Sequence, residues 1–310
     1  MLNRRHIRTK VMQTIFEMTH TNNDDLNLAY KALNNSSSSM YDLYLLQYQL
    51  FVVILQKARK LNKATQQSFL KENQKQNIHR LENNVFLNHI ASSQELALLI
   101  DEKSLNNWEL DDEYATLFLN EILASDFYVN YQNDDSSFEK DKDLVLNIFK
   151  RIIAPNDKLY SYYEDTCISW IDDLPHVNTI ILKELKKLKT GVPLKLTKLF
   201  KDEEDQKFGK ELLSKTVLNS EELKTYIDQK TPKWDADRIA STDSILMQMA
   251  ICEFLKFSSI PVKVTINEYL EIAKEYSTKK SSTFINGILD SLVKDFKKTE
   301  KLQKVGRGLM

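Results

Sequence analysis

Glycine and proline are scarce in this chain: five of each in 310 residues. That is about 1.6% apiece, against usual values of roughly 7% and 5%. Few chain reversals can therefore draw on positive-φ glycine. A β-sandwich, a β-barrel and a Gly-rich nucleotide-binding α/β fold all need many tight turns, and all three are disfavoured. Cysteine is almost missing too. Cys167 and Cys252 are the only two, too few for a disulfide framework, and they read as reduced thiols in a cytosolic protein. Long apolar runs are absent. The longest, Leu50–Leu55, has six residues, whereas a bilayer span needs about 20. The basic N-terminus lacks the apolar segment of a signal peptide. The expectation is a cytoplasmic protein with no membrane contact.

What is present is helix-forming: Leu, Lys, Glu, Gln and Asn dominate, and 42% of residues are hydrophobic. The length suggests two domains, or one domain with a large insertion. The net charge is −1, but the charges are segregated. Residues 1–10 carry Arg4, Arg5, His6, Arg8 and Lys10 and no acid. Residues 101–143 carry thirteen acids and three lysines; residues 183–201 carry seven lysines and one glutamate. Residues 294–310 carry six bases and two acids. Such segregation suits a protein that meets a polyanion with one surface. The acidic run reads as a solvated face.

The first helix spans about 4–20, with Ile7, Val11, Ile15 and Met18 in one apolar row. Arg4 and Arg8 fall on that same face. A core cannot accept unpaired guanidinium groups, so the helix is expected to run past the domain edge and project its first turns outward. Positive charge there also opposes the helix dipole. A polyanion site explains this choice; a tolerated surface cluster is the alternative. Asn34–Ser39 reads as a loop and a segment boundary. A helix follows over about 40–60, continuing as a polar stretch to about 80. Further helices are expected near 81–100, 111–130 and 141–153, with a loop at 131–137. Pro155, Pro175 and Pro193 punctuate the next stretch.

Trp234-Asp235-Ala236-Asp237-Arg238-Ile239 leads into a helix of about 241–257, with Ile245, Leu246, Met249, Ala250 and Phe254 inward. Thr265-Ile266-Asn267-Glu268 reads as a capping box that opens the next helix. Ser281 or Ser282 should cap the last helix, with Ile285, Ile288, Leu289, Leu292 and Phe296 inward. Gly287 reads as a close helix–helix contact and Asn286 as a buried amide. No catalytic constellation is visible: no phosphate-cradling Gly-rich loop, no HExxH, and no ligand spacing among the five histidines. Each cysteine reads as a buried small hydrophobe. Nothing calls for a cofactor or a metal, and nothing argues for an enzyme.

Two stretches carry a resemblance. One is Arg4-Arg5-His6-Ile7-Arg8-Thr9-Lys10-Val11-Met12-Gln13-Thr14-Ile15-Phe16. The other is the spaced set Trp234, Asp237-Arg238-Ile239, Asp243, Ile245-Leu246, Ala250, Glu253-Phe254, Ile260-Pro261, Val264, Ile266-Asn267-Glu268, Ala273-Lys274 and Phe284-Ile285-Asn286-Gly287-Ile288-Leu289-Asp290. Together they resemble the NusB family of transcription antitermination proteins, over residues 1–30 and about 205–297. The resemblance implies an all-α fold, a NusB-like helical bundle with an additional helical insertion after the first helix. The core would comprise 1–32 plus 160–300, the insertion 33–159, and 301–310 a basic tail.

It further implies binding to boxA-type ribosomal RNA leader sequence together with a small-subunit ribosomal protein acting as Nus factor E. RNA polymerase and other Nus factors would be met indirectly, and premature termination prevented. By resemblance the RNA contacts are Arg4, Arg5, Arg8, Lys280 and Phe284; His6 stands where the family often has another base. The protein-partner contacts are Phe16 and Asp243. Read from the residues alone, Phe284 could stack on a base or pack in the core, Phe16 belongs to the core, and Asp243 could simply answer a helix dipole. Two other functions stay open. One is a non-catalytic interaction scaffold. The other is a relative of the RNA-binding domain of ribosomal RNA cytosine methyltransferases, which would need a Gly-rich α/β domain after residue 297.

Overall fold

A computed structural model describes residues 1–66, 78–133, 135, 137–232 and 239–309. The helices are α1 Arg4–Thr21, α2 Leu26–Gln66, α3 Val85–Ala91, α4 Gln94–Glu102, α5 Asn107–Leu110, α6 Glu113–Ala124, α7 Asp126–Gln132 and α8 Phe138–Ile148. They continue with α9 Asp157–Thr166, α10 Ser169–Lys187, α11 Glu203–Leu218, α12 Ser220–Lys230, α13 Ser241–Lys256, α14 Val262–Tyr276 and α15 Lys279–Lys298. No strand occurs among the described residues, only an isolated parallel bridge between Leu2 and Phe200. The fold is all-α. The expected lead-in Trp234-Asp235-Ala236-Asp237-Arg238 lies outside the described residues, as does much of the polar stretch before residue 80.

The chain forms two compact units, residues 1–37 with 199–310 and residues 38–198. The sequence reading placed the insertion at 33–159. In the first unit α13 is the central helix, packing against α1, α11, α12, α14 and α15. Every residue from Ile245 to Phe254 is buried, as a helix surrounded by others requires. Its C-terminus is finished by Lys304, whose Nζ donates to the Glu253 and Phe257 carbonyls at 3.0 and 2.9 Å. A cation there satisfies orphan carbonyls and suits the dipole.

The second unit is built on the apolar part of α2, where Leu43, Tyr44, Leu45, Leu46, Tyr48, Leu50, Phe51, Ile54 and Leu55 are buried. Trp108 Nε1 donates to the Leu46 carbonyl at 2.9 Å. The hydroxyls of Tyr44 and Tyr48 both donate to Glu184 Oε2, at 2.7 and 2.8 Å. The Thr197 hydroxyl reaches the other oxygen of the same carboxylate.

Several local expectations are overturned. Asn34–Ser39 is not a loop but lies within α2. Ser37 donates back to the Leu33 carbonyl at 2.8 Å, and Ser39 accepts Trp170 Nε1 at 2.7 Å. These partners absorb the hydroxyls that would otherwise compete with the helix. Pro175 sits inside α10 rather than breaking it. Thr265 does not cap a helix: α14 begins at Val262 after Pro261, and Thr265 is buried within it. The cap of α15 is Thr278, whose hydroxyl accepts Ser281 N at 3.2 Å. Gly287 makes no close contact, since a Cβ there would meet nothing within 4 Å. Asn286 is half-buried and bonds Asp290 on its own helix at 3.3 Å. Ile288 is half-buried, not inward.

Candidate nucleic-acid interface

The start of α1 is pinned before its arginines appear. Leu2 is buried, and its amide donates to the Leu199 carbonyl at 2.8 Å. Asn3 then caps the helix: its Oδ1 accepts the amides of Arg5 and His6 at 2.9 and 3.0 Å. An asparagine at this position satisfies orphan amides directly. The three arginines that follow meet three different environments.

Arg8 is 2% exposed. Its Nε and Nη2 donate to Glu253 Oε1 and Oε2 at 2.6 and 2.9 Å, a bidentate pair. Glu253 also accepts the Tyr269 hydroxyl at 2.8 Å and the Thr265 hydroxyl at 3.1 Å. Burial works against the charge on Arg8, and the Glu253 carboxylate more than offsets it, holding the guanidinium above its ordinary range. The expectation that Arg8 projects from the domain is therefore corrected. A core refuses an unpaired guanidinium, not one whose charge and donors are answered.

Arg4 and Arg5 lie at the rim. Arg4 Nη2 donates to Glu204 at 2.8 Å and Nε to Asp205 at 2.9 Å. Arg5 makes a bidentate pair with Glu268 at 2.9 and 3.0 Å. Their side chains remain 34% and 38% exposed. The Glu268 hydrogen bonds, less some burial, raise the Arg5 pKa. Glu268, read from sequence as a reciprocal cap, instead holds Arg5. A cavity of about 750 Å³ opens beside all three arginines and is also lined by Asn3, Ser259, Pro261 and Val264.

Lys280 and Phe284 do not line this cavity. They sit one helical turn apart near the start of α15, Lys280 exposed and Phe284 half-buried. Phe16 is 37% exposed, with its ring stacked on His20 at a centroid distance of 3.9 Å; composition alone placed it in the core. Asp243 lies in the first turn of α13 and is 5% exposed. Its Oδ1 has no hydrogen-bond partner among the described residues. A second cavity, about 330 Å³, is lined by Ile15, Met18, Thr19, Ser241 and Ser244, and neither Phe16 nor Asp243 lines it.

Glu253, Glu268 and Asp205 were missed as determinants of this surface. Glu253 did leave a signal: it is the only acid in the apolar run Ile245–Leu255, and a buried acid needs a buried cation. Cys252 beside it is buried, which pushes its thiol up to about 11. No cluster of potential metal ligands occurs among the described residues.

An all-α protein whose first and central helices are joined by a buried Arg–Glu pair, with cationic side chains at the rim, defines the class. The family model described as the NusB family matches residues 181–294. The transcription antitermination protein NusB of Salinibacter ruber is 39% identical over 112 residues, covering 36% of this chain and 70% of that protein. Its namesake in Chloroherpeton thalassium is 42% identical over 99 residues, covering 32% of this chain and 47% of that protein. That of Finegoldia magna is 42% identical over 90 residues, covering 29% and 66%. The match thus spans less than two thirds of the latter two relatives. No solved structure shows significant similarity. The chain belongs to the NusB family.

Proposed function

We propose that this protein is a cytoplasmic transcription antitermination factor. It binds boxA-type leader RNA together with a small-subunit ribosomal protein acting as Nus factor E, and meets RNA polymerase and other Nus factors through that complex. It acts by binding, not by catalysis. The observation that carries this reading is 39–42% identity to proteins named transcription antitermination protein NusB.

The RNA side rests on Arg4, Arg5, Lys280 and Phe284. Arg4 and Arg5 hold carboxylates in the free protein, and this does not disqualify them. Exposed ion pairs contribute only about 0–1 kcal/mol, and Glu204 is itself 76% exposed, so a phosphate can replace it at little cost. Asp205 and Glu268 are 11% and 22% exposed, so a phosphate that takes Arg4 or Arg5 from them must add contacts of its own. Arg8 cannot be freed so cheaply, because breaking a buried pair costs about 3–5 kcal/mol. Its role is to fix α1 so that Arg4 and Arg5 stay at the rim. The partner side rests on Phe16, whose ring is accessible, and Asp243, whose Oδ1 can accept a hydrogen bond.

An anisotropy titration of boxA against scrambled RNA, with the ribosomal protein present, should show preference for boxA. Equal affinity for the two RNAs rejects the proposal. Arg5→Glu should weaken binding and lower the salt slope by about 0.7 for one lost single-strand phosphate contact. An unchanged slope removes Arg5 from the site.

A further inference from the structure

The second unit carries positive charge that the reading above does not use. Lys183, Lys186 and Lys187 occupy the last turns of α10, and Lys189 follows directly; all four are exposed. Lys183 lies three and four residues before Lys186 and Lys187, a spacing that puts their Cβ atoms about 5–6 Å apart on one face. None of the four makes an ion pair or other polar side-chain contact among the described residues. The single acid of residues 183–201, Glu184, is turned away. Its carboxylate is taken by the hydroxyls of Tyr44, Tyr48 and Thr197. No carboxylate therefore pairs with these four lysines among the described residues.

The dipole of α10 does not account for these residues. A helix C-terminus favours one nearby cation on its free carbonyls, and that place is filled from another element. Lys142 Nζ, on α8, donates to the carbonyls of Lys186 and Leu188 at 2.7 and 3.0 Å. It adds a fifth positive charge to the same spot. Asp143, exposed on α8 next to Lys142 in sequence, offsets one of the five.

We propose that Lys183, Lys186, Lys187 and Lys189, with Lys142, form a surface that binds the phosphate backbone of single-stranded RNA without reading its sequence. It rests on the reading that the protein acts on a transcript and enlarges that contact. The chemistry favours RNA over a protein. Leu185 and Leu188, interleaved with the lysines, are buried, and the exposed apolar residue that follows them, Val192, is not one of the aromatic or arginine anchors that protein hot spots favour. Lysine ammonium groups serve phosphates as point charges, and phosphate contacts carry no sequence information.

The test uses the full chain and RNAs of about 40 nucleotides, long enough to reach more than one cationic surface, with boxA intact or scrambled. The variant K183A/K186A/K187A/K189A should lose affinity for both RNAs, by a factor that grows as salt is lowered, and its salt slope should fall by about 3, four contacts at about 0.7 each. The ratio between the two RNAs should not move. Replacing the same four lysines by arginine should restore affinity. Circular dichroism of both variants should match the parent, since all four side chains are exposed. Unchanged affinity and slope in the alanine variant overturns the proposal. So does a variant that keeps RNA binding but loses binding to polyglutamate, which marks an acidic protein as the occupant. A parent protein that ignores boxA but still weakens on lysine removal rejects the boxA reading and leaves this surface standing.

Discussion

Arg8 and Glu253 are 245 residues apart in sequence and share one buried bidentate contact. The energetics of such a pair are asymmetric. Replacing both partners by apolar groups is often neutral, while removing one strands a charge. Glu253→Gln should therefore cost about 3–5 kcal/mol in a urea melt, and Arg8→Met/Glu253→Leu distinctly less. An equal cost for single and double variants would mean that packing, not charge, holds the site. The same variants separate positioning from contact. Arg8→Met at low temperature, where it stays folded, should leave the salt slope of RNA binding unchanged; a slope lowered by about 0.7 would make Arg8 an RNA contact after all.

At the scale of helices, two glycines make opposite predictions. Gly209 in α11 faces α1: a Cβ placed there would lie 2.9 Å from Ile7 Cγ2. Ile7 is buried and β-branched, so it yields poorly. Gly209→Ala gains roughly 1 kcal/mol of helix propensity but meets an overpacking cost of about 1–3 kcal/mol, for net destabilisation of up to about 2. Gly287 in α15 has open space around it, so Gly287→Ala should stabilise by about 0.5–1 kcal/mol. Thermal melts of the two variants should move in opposite directions. The sequence pattern pointed to the wrong glycine. The Asn286-Gly287 pair drew attention because it resembles a turn, while nothing in Phe208-Gly209-Lys210 announces a partner 202 residues away. Helix positions were readable because an apolar row repeats every turn: α1, α13, α14 and α15 all lie where periodicity puts them. Helix ends were not. Thr265 matched a capping pattern but is recruited by Glu253 from another helix, and Asn34–Ser39 looked like a break until Trp170 and Lys103 are seen to bond its serines. The basic N-terminus was legible as unusual. Its tether to Glu204, Asp205, Glu253 and Glu268 was not, because all four acids lie about two hundred or more residues downstream.

Across the whole molecule, a net charge of −1 hides two ways of handling positive charge. In the first unit, each arginine at the start of α1 is matched to a carboxylate, so the proposed RNA would have to displace acids there. In the second, the lysines at the end of α10 have no such competitor. Displacement favours a ligand that offers well-placed phosphates and further contacts, whereas an open lysine ledge accepts any polyanion. Selectivity is thus proposed for the first unit and added affinity for the second. The first unit also has its own central helix, α13, which packs against α1, α11, α12, α14 and α15. Replacing residues 38–198 by a flexible Gly/Ser linker should leave a helical protein that unfolds cooperatively and is still pulled down by the ribosomal-protein partner. Its preference for boxA over scrambled RNA should persist, while its salt slope falls by about 3.5, for loss of the four lysines and Lys142 together. A linker variant that keeps the parent slope would place the non-selective contacts in the first unit. One that fails to fold would show that residues 38–198 are needed to hold α13 in its core.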